Sequence, residues 1–266
     1  MKLDGKVVVL TGAGSGMGRE LTLQLVAKGA KVAAIDMRAE TLAETKELAL
    51  GIIGQVETFL LDITDASAIK ELPGEISAKL GEPDVLINNA GIIQPFVRIN
   101  DLTLEQSEKV MAVNFQGPLM MVKAFLPGLL KRPEAHILNV SSMGAYAPVP
   151  GQSVYGASKA AIKLLTEGLR SELMDTHVGV TIVFPGAIAT NIAANSGMAD
   201  ISVDSSASSI KMTPASVAAS LMITAIEKGQ PRLVIGKDAK MLDIMSRLNP
   251  VFAAKLIYKQ MASLLK

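Results

Sequence analysis

The 266-residue sequence has no cysteine, so neither a disulfide framework nor a thiolate metal site can be built. A reducing compartment suits such a chain, and a cytoplasmic location is expected. Aromatic residues make up only 3% of the sequence, although 49% is apolar, so Ala, Val, Ile, Leu and Met must fill the core. Neither charge dominates: 26 Lys and Arg face 25 Asp and Glu. That balance gives no electrostatic case for a nucleic-acid partner. No run approaches the roughly 18 apolar residues of a spanning helix. The opening "MKLDGKVVVLTG" enters a short apolar run at once, without the longer apolar region and small-residue cleavage site of a signal peptide. Only two histidines occur, His136 and His177, each opening an expected strand. No cluster of metal ligands is visible, and no metal is expected.

What is present is an alternation. "KVVVL" (6–10), "KVAAID" (31–36), "VETFLLDI" (56–63), "DVLINNAG" (84–91), "HILNVSS" (136–142), "VGVTIVFPG" (178–186) and "RLVIG" (232–236) read as strands. Most are nearly continuous apolar runs, as parallel strands covered on both faces require. Helix-compatible segments lie between them, near 18–28, 39–50, 66–80, 103–130, 153–175 and 214–228. The pattern predicts an α/β fold: a single-domain, doubly wound parallel sheet of Rossmann type, with helices on both faces. The expected catalytic domain covers 1–237 and includes a polar loop near 191–213. Residues 238–266 form a helical extension of the same domain.

The first strand runs into "TGAGSGMG". Gly12, Gly16 and Gly18 allow a tight turn, and the helix that follows would aim its N-terminal N–H groups at a phosphate. The spacing is Gly-x-x-x-Gly-x-Gly. Asp36 closes the second strand, where a carboxylate would accept hydrogen bonds from ribose hydroxyls and repel a 2′-phosphate. That favours NAD over NADP, although Arg19 and Arg38 stand within reach. In "VYGASKAAI", Tyr155 and Lys159 sit four residues apart, on one helix face. A lysine there would lower the pKa of the phenol.

Together these motifs resemble the short-chain dehydrogenase/reductase family, over roughly residues 5–236. The resemblance rests on "TGAGSGMG", Asp62 after the third strand, "NNAG" at 88–91, Asn114 in "VNF", Ser142 in "VSSMG", the Tyr155/Lys159 pair, and "PG" at 185–186 with Thr190 beyond. It implies a catalytic set of Asn114, Ser142, Tyr155 and Lys159. It selects Ser142 over Ser141 because the family's serine stands thirteen residues before the tyrosine. It implies a nicotinamide cofactor held by Gly12, Ser15, Gly16, Met17, Gly18, Asp36, Asp62, Ile63, Asn89, Gly91, Tyr155, Lys159, Pro185, Gly186, Ile188 and Thr190. Tyr155 would move the proton, Ser142 would hold the substrate oxygen, Lys159 would hold the nicotinamide ribose, and Asn114 would order a water or bond a neighbouring strand.

Ser142, Gln94 and Gln152 are the expected substrate contacts, among apolar neighbours such as Met143 and Ala145. The favoured substrate is a small hydrophobic alcohol or ketone. The alternatives are an NADPH-dependent 3-oxoacyl-thioester reductase and a non-catalytic nucleotide sensor. A homo-oligomer, dimer or tetramer, is expected. Past "LVIG", the runs "KDAKMLDIMSRL" and "VFAAKLIYKQMASLLK" read as helices. The second carries a wide apolar surface interrupted by Lys255, Lys259, Ser263 and Lys266. It should pack on the body of the protein, on another subunit, or on a membrane surface, in that order.

Overall fold

A computed structural model describes residues 1–190, 192–196, 212–261 and 265. Most of the expected substrate loop (191 and 197–211) and tail residues 262–264 and 266 lie outside the described residues.

Seven apolar runs pair into one parallel sheet: β1 (Val7–Thr11), β2 (Lys31–Asp36), β3 (Gln55–Leu60), β4 (Val85–Asn88), β5 (Ala135–Val140), β6 (Val178–Pro185) and β9 (Arg232–Ile235). Their order is β3-β2-β1-β4-β5-β6-β9. Alternation along each strand divides the core in two. Val8, Leu10, Val32, Ala34, Ile87 and Leu138 face α1 (Gly16–Ala27) and α8 (Ala215–Glu227). Val7, Val9, Ala33, Ile35, Leu86 and Ile137 face α3 (Ala66–Leu80), α5 (Gly117–Leu129) and α6 (Ser153–Glu172). Both faces are therefore dry, which explains why the strands read as unbroken apolar runs.

Strand order reverses between β1 and β4, and ligands of doubly wound sheets bind at that switch point, outside the carboxyl ends of the strands. Two expected strands run too long in the sequence reading, 56–63 and 84–91. The ladders stop at Leu60 and Asn88, and the remaining residues curl over the sheet edge. After β4, Thr11 Oγ1 takes over as acceptor, bonding the backbone N–H groups of Asn89 and Ala90.

The expected helix at 103–130 is interrupted. α4 (Leu104–Met111) passes into a π-helical turn, Ala112–Gln116, before α5. The remaining elements are α2 (Ala39–Leu48), a 3₁₀ turn at Met143–Ala145, the two-residue strands β7 (Ile188–Ala189) and β8 (Thr213–Pro214), α7 (Ile192–Asn195), α9 (Lys237–Leu248) and α10 (Pro250–Met261). α10 buries Ala253 and Ile257, and Ile257 packs with Met143, Tyr146, Ala147 and Val149. No helix among the described residues is long and apolar enough to cross a membrane.

Candidate active site

The glycine turn follows β1 directly. Gly12 and Gly16 have φ of +70° and +52°, a region that side-chain-bearing residues rarely adopt. A Cβ on Gly12 would lie 2.9 Å from Ala90 Cα, so the turn can pass this close to the end of β4 only as glycine. Asn89 fastens the two strands there, its Nδ2 donating to the Thr11 and Gly12 carbonyls. Ser15 stands at the N-cap of α1 with no side-chain cap hydrogen bond, so the first-turn N–H groups remain available to an anion. Thr190 approaches the same turn, 3.1 Å from where a Cβ on Gly16 would lie.

Asp36 ends β2 at 8% exposure, with Oδ2 accepting from Gly14 N (2.9 Å) and Oδ1 from Arg38 N (3.1 Å). Each oxygen keeps a lone pair for a further donor. Arg19 folds away onto the Gly14 and Thr41 carbonyls and Glu44. Arg38 does not: its guanidinium bridges Ser15 Oγ (3.3 Å) and Asn195 Oδ1 (2.6 Å) across the cleft. Asp62 turns on itself, its Oδ1 accepting from the Thr64 backbone and hydroxyl. The cap of α3 is Asp65 instead, and Ile63 beside Asp62 is buried against Gly117.

A second group of side chains meets this turn. Tyr155 and Lys159 project from the first two turns of α6, with the Lys159 ammonium 5.9 Å from the Tyr155 ring centroid. Ser142, leaving β5, stands beside the Tyr155 ring at Gly144 and accepts from Gly144 N (3.0 Å). Ser141 faces the other way, onto the Lys159 carbonyl (2.7 Å), as strand alternation requires. Lys159 is 4% exposed, and burial pushes its pKa down to about 8. Among the described residues the one hydrogen bond of its ammonium is to the Val140 carbonyl, 3.2 Å away. An ammonium so buried and so little paired has donors to give a ligand. The pKa of the Tyr155 phenol moves up rather than down. Burial outweighs the lowering effect of the Ser142 hydroxyl, and the lowering expected from Lys159 does not prevail.

Asn114 lies in the π-helical turn. Its Oδ1 accepts from Ile92 N (2.9 Å), and its Nδ2 donates to the Ile92 carbonyl (2.9 Å) and Ser158 Oγ (3.0 Å). Of the two roles open to it, these contacts express the backbone-bonding one. Gly91 lets the chain pass between Asn114 and Lys159: a Cβ there would lie 3.2 and 3.1 Å from them.

The glycine cradle, the uncapped helix start, the carboxylate of Asp36 and the buried ammonium of Lys159 fit a dinucleotide stretched across the switch point. Comparison with known proteins agrees. The profile of the short chain dehydrogenases matches residues 6–200.

The chain belongs to the short-chain dehydrogenase/reductase family. SadH of Mycobacterium tuberculosis is 35% identical to this chain over 252 residues, covering 92% of this chain and 91% of SadH. The 3-oxoacyl-acyl-carrier-protein reductase FabG of Thermotoga maritima is 36% identical over 190 residues, 71% of this chain and 77% of FabG. A short-chain dehydrogenase/reductase from Burkholderia phymatum, solved in complex with NAD, superposes with a TM-score of 0.83 at 25% identity, with 94% of each chain covered. This chain is thus an oxidoreductase of a family that uses a nicotinamide cofactor.

One expected substrate contact needs correction. Gln94 is 1% exposed and bound wholly to the chain: Oε1 accepts from Val154 N (2.8 Å) and Tyr155 N (2.9 Å), and Nε2 donates to the Gly151 carbonyl (2.8 Å). Gln152, 4% exposed, donates from Nε2 to the Gln94 carbonyl (2.7 Å). Gln94 therefore fastens the start of α6 rather than facing a ligand, whereas Gln152 lines the crevice beside Tyr155 and its Oε1 has no partner among the described residues. Tyr155 borders a crevice of about 490 Å³, walled by Ala145, Ala147, Pro148, Val149 and Pro150. The sequence reading also missed Asp238, whose Oδ2 accepts from Ala187 N (2.7 Å). It thereby holds the Pro185–Ile188 segment from α9.

Proposed function

We propose that this dehydrogenase interconverts a hydrophobic secondary alcohol and its ketone with NAD(H), using Tyr155 as general acid/base. The observation that carries the reading is the meeting of Tyr155, Ser142 and Lys159 beside the glycine turn. The nicotinamide, when bound, supplies or accepts the hydride. In reduction, Tyr155 Oη gives its proton to the carbonyl oxygen while Ser142 Oγ donates a hydrogen bond to that same oxygen. A phenol made less acidic by burial keeps its proton at neutral pH, as a donor must. In oxidation the phenolate accepts the proton, stabilised by the Lys159 charge and the Ser142 hydroxyl. Lys159 also binds the nicotinamide ribose, and Asn114 fixes the Ile92 strip beside it.

Asp36 supports NAD, since its buried carboxylate would repel a 2′-phosphate. The apolar wall of the crevice supports a hydrophobic substrate. We place the dehydrogenase in the cytoplasm as a homo-oligomer, in which exposed Leu104 and Leu164 would find cover. Arg38 beside Ser15, together with the FabG relative, supports a second reading as an NADPH-dependent 3-oxoacyl-thioester reductase. Initial rates with NADH and NADPH, over hydrophobic ketones and a 3-oxoacyl thioester, separate the two. No turnover of any of these would sink both.

A further inference from the structure

We infer that the outward faces of α9 and α10 dock on an anionic lipid membrane. The two helices bury little: Ala239 and Leu242 of α9, and Ala253 and Ile257 of α10. The other side of α9 exposes Lys237, Lys240, Met241, Ile244, Arg247 and Leu248. That of α10 exposes Val251, Phe252, Lys255, Tyr258 and Lys259. Leu248 is 81% exposed and Phe252 is 56% exposed.

These faces mix apolar side chains with cations and hold no free carboxylate. Asp238 is spent on Ala187 N, and Asp243 on Arg232 and Arg247. From Ile244 onward the sequence contains Arg247, Lys255, Lys259 and Lys266 and no acid. An apolar helix face threaded with lysine suits the bilayer boundary, where the apolar groups enter the acyl region and the ammonium groups meet phosphates. A second copy of the chain suits it poorly. Two-fold pairing through this face would gather the Lys255 and Lys259 ammonium groups of both copies into one seam, and the face holds no free carboxylate to neutralise them.

The position of the face has a consequence. The inward side of α10 rests on the turn after Ser142, and Leu265 Cδ2 lies 3.1 Å from where a Cβ on Gly151 would stand. Docking would therefore hold the bilayer next to the start of α6. If the redox reading above holds, the substrate is an alcohol or ketone dissolved in the membrane. The docking surface itself does not depend on that reading.

The test is sedimentation of the full-length protein with vesicles of phosphatidylcholine alone, or of phosphatidylcholine mixed with phosphatidylglycerol. At low salt, at least ~10-fold more protein should pellet with the anionic vesicles, and high salt should release it. The double variant Lys255→Glu/Lys259→Glu should lose at least ~10-fold of that binding, and Phe252→Asp should lose most of it. All three substituted positions face outward, so circular dichroism melts should stay unchanged. Pelleting with neither vesicle overturns the inference, as does equal binding of the charge-reversed variant. So does an oligomer, seen by light scattering, that Phe252→Asp dissociates, because the face would then belong between copies. None of these measurements requires turnover, so failure of the proposed reaction would be seen separately.

Discussion

Opposing effects meet at Tyr155, where burial holds the proton on and the Ser142 hydroxyl eases it off. Removing the hydroxyl leaves the ring and its packing against Gly144 in place. Tyr155→Phe should therefore bind NADH nearly as wild type, by fluorescence titration, while turnover falls at least ~100-fold. Wild-type turnover in that variant would end the proposed mechanism. Asp36 sets a second expectation. Wild type should prefer NADH to NADPH by at least ~10-fold, and Asp36→Ala should narrow that ratio because Arg38 remains beside Ser15. A wild-type preference for NADPH would show that Arg38 outweighs the carboxylate. Tyr155, Lys159 and Ser142 were legible because each stands in a motif read over a few neighbouring residues. Gln94 was not, since the groups it holds lie 57 to 61 residues further along the chain.

Strands and helices were legible for a related reason: period-2 and period-3.6 patterns need only local sequence. What escaped the reading is how elements end and join. Nothing in "MAVNFQG" distinguishes a π-helical turn from ordinary helix, yet that turn carries Asn114 to Ile92. Likewise α6 has no side-chain cap of its own, and Gln94 supplies one from the β4 loop. Loss of a buried helix cap costs about 1–2 kcal/mol. Gln94→Leu should lower the melting temperature accordingly. It should also lower kcat several-fold with little change in KM, since Tyr155 N is one of the groups released. A fall in stability with kcat intact would leave Gln94 as a cap alone.

Across the whole sheet, one titrating side chain links three segments. His136 on β5 meets Thr181 on β6 at 2.8 Å, and Thr181 Oγ1 donates its single proton to the Gln230 carbonyl, just before β9. The imidazole must then be the donor, so Nε2 carries the hydrogen. It is 3% exposed, and burial pushes its pKa down to about 4. The unfolded chain takes up a proton near pH 6.5 and the folded chain only near 4, so between those values the unfolded state binds more protons. Stability must therefore fall as pH drops through that window, by roughly 3 kcal/mol across its full width. Carboxylates also titrate toward its lower end, and a substitution separates the contributions. His136→Gln should be less stable than wild type at pH 7.5, having lost its fitted hydrogen bond. Its urea midpoint should then decline much less between pH 6.5 and pH 5, where few carboxylates titrate. Parallel declines in the two proteins would assign the acid sensitivity to another group.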